Sequence, residues 1–449
     1  MANIWIDTGG ASTNSGSRDA NAAALTGTNA TVSASTVTLD GSPDLSGVVT
    51  SGASQDTIYL AQATNANQKI FWITAVDNVG KTVTVSVAPT GVTGSNWAIG
   101  GRITLAGMTG AEAFLRAGDT VNINNSPASA AGTLITARVA GDITSGYVTW
   151  KGTSGYPTLT CTDASDLFTG NVAFQWIEGL TFTQQGATQN CIDLNNTAAD
   201  NWVIYNNKFT DSGGPMINIA SGATGCRIIG NEFSGTNTAS AHGISASDNT
   251  CVIMFNYIHD LAGTTCDGIN FNSSTSLQFV YGNIIDTCTG RGILKSATST
   301  HLLVLLQNII YGNGNSGWEN ANHTLCVLFN NIFMNNGDAA GEYNLEGGSM
   351  FGSLSLGNYN CFYDGGAGDN LLNYTAGAND ITTDPSFTNA AAGDFSLGSG
   401  SPCKATGFPG AFIGGLSTGY MDMGIVQRQE AGGAGTVGHG LTRSLLVGR

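Results

Sequence analysis

Between about Val172 and Tyr363 the chain alternates apolar and polar residues in short runs such as Cys226-Arg227-Ile228 and Ile269-Asn270-Phe271, with Gly, Asn, Ser and Thr filling the gaps. Runs of Ala, Leu, Glu and Lys are absent, so amphipathic helices are not expected here. One phrase recurs: YNNKF ending at Phe209, IGNEF at Phe233, MFNYI at Ile258, YGNII at Ile285, LQNII at Ile310, FNNIF at Phe333 and LGNYNCF at Phe362. An asparagine runs through all of them, as Asn207, Asn231, Asn256, Asn283, Asn308, Asn331 and Asn358, in steps of 24, 25, 27, 25, 23 and 27 residues. A second register, Ile192, Ile217, Ile244, Ile269, Ile293, Trp318 and Tyr343, keeps the same time. A period of this size marks a solenoid. With two or three short strands per unit, the pattern predicts an all-β, right-handed parallel β-helix of about 25 residues per coil, its coils stacked ~4.8 Å apart. Repeated once per coil, the asparagine is expected to form a structural ladder of side-chain amides.

The flanks follow other rules. Residues 1–16 read as a strand and a Gly/Ser/Asn loop. Residues 17–101 read as an inserted antiparallel β-barrel or sandwich, with AVDNVGKTVTV as a hairpin. In that module Trp72 and Trp97 are core positions first and sugar-stacking positions second. Residues 102–117 predict a capping helix, with Thr109 as N-cap and Glu112 completing a capping box. The parallel β-helix is assigned to 118–380, a closing segment to 381–430 and a flexible tail to 431–449. The apolar tip of that tail, Leu441, Leu445, Leu446 and Val447, is expected to dock on a partner or a neighbouring subunit.

Composition narrows the setting. The 63 glycines and 10% charged residues suit a turn-rich β chain. A formal net charge of −16 argues against nucleic acid and anionic membranes as partners. No apolar run approaches the ~18 residues of a membrane span, and the start MANIWID reads as lacking an export leader. Nine cysteines without a CxxC pair, several of them at repeat positions, read as buried reduced thiols rather than zinc ligands. Five histidines share no ligand spacing, and no nucleotide or metalloprotease motif occurs, so neither metal nor cofactor is expected.

Chemistry is sought on the outside of the coils. If the Ile192–Tyr343 register points inward, the next residue points out, which gives Asp193, Asn218, Ser245, Asn270, Leu294, Glu319 and Asn344. Glu319 with Glu342 or Glu346 is then the candidate catalytic acid/base pair, since glycosidases hold two carboxyl groups ~5–9.5 Å apart. Trp318 offers a stacking face whose register points it inward. Asp267 and Arg291, in matching places on adjacent coils, form with Lys295 and Asn270 a candidate glycan-binding or lyase group; a surface ion pair explains Asp267 and Arg291 equally well.

The C-terminal stretch carries Asp384-Pro385, Gly393-Asp394-Phe395, Gly400-Ser401-Pro402 and Asp422-Met423-Gly424. It resembles the closing segment of pectate-lyase-like parallel β-helix proteins of bacteria and bacteriophages, in which GSPAIDAG is followed by DIGAYE or DIGAVQ. Here Cys403-Lys404-Ala405-Thr406-Gly407 replaces AIDAG, so the role of that aspartate does not carry over. The resemblance implies a bacteriophage virion protein, such as a tailspike, head fibre or decoration protein. It would be homotrimeric and partnered by other virion proteins and host polysaccharide. The alternative is a polysaccharide lyase or hydrolase, and a third reading is a bacterial adhesin.

Overall fold

The computed structural model describes residues 3–6, 25–100, 114–125 and 133–427, apart from 53, 65–68, 154, 187, 196, 237–240, 248–249, 273–276, 297–298, 321–322, 349–355, 367–368 and 409–420. No α-helix occurs among the described residues. Most of the expected capping helix, including Thr109 and Glu112, lies outside them. The chain divides into two compact units, residues 1–186 with 198–203, and 187–197 with 204–449.

In the first unit, six strands between Leu25 and Ile99 close into an antiparallel barrel. Its hairpin joins Ile70–Asp77 to Thr82–Val85, and the Asp77 carboxylate accepts the N–H groups of Val79 and Gly80 in the turn. Both tryptophans are buried, which removes them as sugar platforms. Trp97 Nε1 donates to Asp40 Oδ1 at 2.6 Å; Trp72 Nε1 donates to the Phe114 carbonyl at 2.7 Å, with the Arg116 guanidinium 4.0 Å above its ring. Parallel strands belong to this unit as well: Asn3–Ile6, Thr120–Ile123, Val148–Gly152 and Gln175–Glu178 form one run, and Thr158–Cys161 pairs with Thr181–Gln184.

The second unit is a right-handed parallel β-helix with three sheets. The first sheet runs from Arg227–Ile229 to Leu356–Asn358. The second runs from Lys208–Asp211 to Cys361–Tyr363, and the third from Ile192–Leu194 to Asp369–Leu372. Side chains alternate between interior and exterior along each strand. Phe209, Phe233, Ile258, Ile285, Ile310, Phe333 and Phe362 line the interior from the second sheet, with Phe209 and Phe233 stacked at 4.6 Å. Each such side chain contributes roughly 1.5–3 kcal/mol by burial. All nine cysteines are buried, and none is in a disulfide.

The corner between the first and second sheets explains the repeated asparagine. One residue turns the chain with positive φ: Asn206 (53°), Gly230 (64°), Phe255 (59°), Gly282 (64°), Gln307 (55°), Asn330 (60°) and Tyr359 (60°). The asparagine follows it, and its backbone N–H is satisfied by the side chain of the next coil's asparagine. Each Oδ1 accepts both the N–H and the Nδ2 of the preceding asparagine at 2.9–3.1 Å, from Asn207 through Asn231, Asn256, Asn283, Asn308 and Asn331.

The seventh member is Asn360, not Asn358. Phe333 pairs with Phe362, so two residues before Phe362 is the ladder position, and Tyr359 is the corner residue. Asn358 instead accepts the N–H of Tyr359 and of Asn379 near the surface. The ladder ends on Asp380, whose Oδ1 accepts the Asn360 N–H at 2.7 Å. A second ladder, Asn313, Asn336, Asn344 and Asn370, has Nδ2-to-Oδ1 contacts of 2.8–2.9 Å. It takes in Asn344, which the period had placed outside.

The closing segment packs on the outside of the second sheet. Phe395, Leu397, Cys403, Met423 and Ile425 cover Tyr257, Ile284, Ile309, Ile332 and Cys361.

Candidate functional site

The third sheet is entered through a glycine column, Gly243, Gly268, Gly292 and Gly317. A Cβ on Gly292 would stand 2.6 Å from the Gly317 carbonyl, so only glycine lets adjacent coils approach this closely. The residue before each glycine, His242, Asp267, Arg291 and Ser316, stands at the mouth of the corner. The strand that follows presents the outward row: Asp193, Asn218, Ser245, Asn270, Leu294, Glu319 and Glu346. The two columns make one polar stripe.

Arg291 is its centre. Its Nε donates to Glu319 Oε2, its backbone N–H donates to Asp267 Oδ1 at 2.8 Å, and its Nη1 lies 3.7 Å from the same oxygen. Burial opposes the charge on Arg291, but the Glu319 hydrogen bond and carboxylate outweigh it and raise its pKa. Asp267 is only 1% exposed, so the pair with Arg291 is not the surface ion pair that sequence spacing suggests. Asp267 Oδ2 also lies 3.2 Å from His242 Nδ1, and His242 Nε2 faces the Asn270 amide at 3.0 Å. Further along, Asp193 Oδ1 accepts Asn218 Nδ2 at 2.7 Å.

The glutamates sort themselves by register. Trp318 pairs with Leu345, so Leu345 and not Tyr343 holds the inward place, and Glu346 stands directly beside Glu319. A two-residue excursion after Ser316's coil causes the shift, which the even period conceals. Glu346 Oε2 accepts the Ser316 hydroxyl at 2.7 Å. Glu342 lies off the row: its Oε2 accepts the N–H groups of Asp338 and Ala339 at 2.9 Å each and closes a turn. Two further candidates face inward. Trp318 is fully buried and offers no stacking surface. Lys295, two residues beyond the inward Ile293, shares its parity and is 1% exposed; burial lowers its pKa to about 8. Asn270 remains on the outer row but is buried by its neighbours, 8% exposed.

A second titratable group on the second sheet escaped sequence reasoning. His259 stacks on Tyr257 with centroids 4.0 Å apart and reaches Asp260 Oδ2 at 2.8 Å and Glu232 Oε1 at 3.5 Å. Lys208 Nζ lies 3.0 Å from Glu232 Oε2. Burial disfavours the His259 cation, but Glu232 and Asp260 outweigh it and its pKa rises. Burial pushes Asp286 up to about 6. The Thr287 hydroxyl touches Asp286 Oδ1 at 2.8 Å and Asp260 Oδ1 at 3.0 Å. One hydroxyl proton cannot serve both carboxylates at once. The available signal was the strand parity that aligns His259 with Asp286.

Among the described residues, no group of three or more His, Cys, Asp or Glu side chains is arranged to hold a metal ion, and no helix is long and apolar enough to cross a membrane.

Residues 190–384 match the family model described as the right-handed β-helix region. No curated protein matches the chain significantly. Among solved structures, that of pectate lyase Pel9A superposes with a TM-score of 0.54 at 11% identity, covering 73% of this chain and 92% of that one. Likeness at that identity carries the fold, not the site. Coil period, sheet topology and both comparisons agree that the chain is a right-handed parallel β-helix.

Proposed function

We propose that the protein binds an uncharged polysaccharide along the outer stripe of the third sheet, and that Glu319 and Glu346 act there as the acid/base and the nucleophile of retaining glycoside hydrolysis. The observation that carries this reading is the register that sets the two carboxylates on adjacent strands, one coil apart. Strand spacing of ~4.8 Å approaches the ~5–5.5 Å of retaining glycosidases. Lyase chemistry is the weaker alternative. It needs a cation to neutralise a uronate and a base to take its α-proton. Arg291 is already neutralised by Glu319 and Asp267, and Lys295 faces the interior. A net charge of −16 also repels a polyuronate.

A second reading is favoured by the same contacts: with Glu319 held by Arg291 and Glu346 by Ser316, the stripe is a self-satisfied binding or packing face. Together with the resemblance of the closing segment, this supports a structural component of a bacteriophage particle, a homotrimeric tailspike, head fibre or decoration protein that meets host glycan without cutting it.

The test is release of reducing ends, and separately of unsaturated uronates, from a panel of neutral and acidic bacterial polysaccharides. Glu319→Gln and Glu346→Gln should each lower reducing-end release at least ~100-fold, the usual worth of a general acid or base. Retardation in glycan affinity gels without cleavage would select the second reading. Unsaturated products would sink both.

A further inference from the structure

The first sheet has an outer face with no polar row. Its strand 302–306 reads Leu-Leu-Val-Leu-Leu: Leu303 and Leu305 fill the interior, while Leu302, Val304 and Leu306 point out. The neighbouring strands continue the pattern, with Phe279 and Tyr281 on one side and Val327 and Phe329 on the other. A strand apolar on both faces is the signature of a sheet covered on both faces. At the margins Leu277 is 44% and Leu356 65% exposed.

Size decides what kind of cover fits. Three strands at ~4.8 Å and five residues at ~3.3 Å make a face of roughly 240 Å². A stable partner buries about 800 Å² per side. The face therefore suits a peptide segment rather than a second copy of the chain. The closing segment already borders it. Phe408 packs edge-on against Phe329 and Tyr359, and Ile425 lies against Gly282 and Phe255 at the same corner. Beyond Gln427 run 22 residues, 428–449, outside the described residues. They carry three arginines against one glutamate in a chain of net −16, and end in Leu441, Leu445, Leu446 and Val447. The 14 residues from Gln427 to Leu441 span up to ~46 Å, several times the width of the face.

We propose that residues 441–447 of the same chain dock on the apolar outer face of the first sheet, covering Phe279, Val304 and Val327. The Gly/Ala stretch 431–435 is the tether.

The test places a photoreactive benzoylphenylalanine at position 279 of the full chain. After irradiation of the dilute monomer, the expected cross-linked tryptic peptide begins at Ser444. Cross-links to 409–420, cross-links between copies whose yield rises with concentration, or no cross-link at all would overturn the proposal. In the same background Leu445→Asp with Leu446→Asp should cut the cross-link at least tenfold. It should also raise the fluorescence of an apolar-surface dye several-fold. That the variant retains its β-helix is checked by its circular dichroism. Unchanged dye fluorescence would count against docking.

Discussion

Replacing Asn283 with alanine tests whether the ladder supports the coils or only decorates their corners. Asn283 Oδ1 accepts the Asn256 N–H at 3.0 Å and the Asn256 Nδ2 at 2.9 Å; its Nδ2 donates to the Ile253 carbonyl at 3.0 Å and to Asn308 Oδ1 at 3.1 Å. Truncation strips the fully buried Asn256 N–H of its acceptor, which costs about 1–3 kcal/mol, and removes three further bonds worth about 1 kcal/mol each. The expected loss is about 4–6 kcal/mol, read as a lower urea midpoint of the second unit with an unchanged slope. Asn360→Ala should behave alike, whereas Asn358→Ala, at a half-exposed position where water replaces the amide, should cost under ~1 kcal/mol. Asn283→Asp adds a sign test. The buried carboxyl has a raised folded pKa, so the variant is closest to wild type below the unfolded carboxylate value of ~3.9 and loses stability as pH rises through the folded one. A loss below ~1 kcal/mol for Asn283→Ala, or equal effects at 358 and 360, would refute this account of the ladder.

Two further substitutions probe the charged groups. Asp286, raised from 3.8 to about 6, contributes stability that is full below pH ~4 and lost as pH rises through about 6, worth about 3 kcal/mol. His259 is also raised, so its contribution likewise disappears toward alkaline pH. Asp286→Asn should flatten the stability profile between pH 4 and 7 and leave the variant more stable than wild type at pH 8, measured by urea unfolding at each pH. Arg291→Met leaves Asp267 buried without its cation. The expected cost is about 2–3 kcal/mol, less than the ~3–5 kcal/mol of a fully buried pair because Arg291 is partly exposed, and Asp267→Asn in the same background should recover most of it.

Fold class was legible because the coil repeats two independent signals, an inward apolar residue and a corner asparagine, and a β-helix forces both to share one period. The site was legible only as far as that period stayed honest. Where a coil lengthens, as before Leu345 and Asn360, a step of 25 or 27 residues lands two short, on a residue of the same parity that looks equally suitable; Tyr343 and Asn358 were chosen for that reason. Parity would have placed Lys295 inside, yet its charge outweighed its position in the reading. The second ladder and the group around Asp286 depend on contacts between neighbouring coils, and no single coil's sequence carries them.

The ladder also gives the solenoid an electrical direction. Every side-chain amide from Asn207 to Asn360 points its N–H end toward the later coil and its carbonyl back, so the small dipoles add along the axis as peptide dipoles do in an α-helix. The positive end of that column does not face solvent. It meets the carboxylate of Asp380, which also takes the N–H of Gly377 and the hydroxyl of Tyr374. An anion closes the column where the repeat stops, so the last corner ends on a charge that complements everything stacked before it.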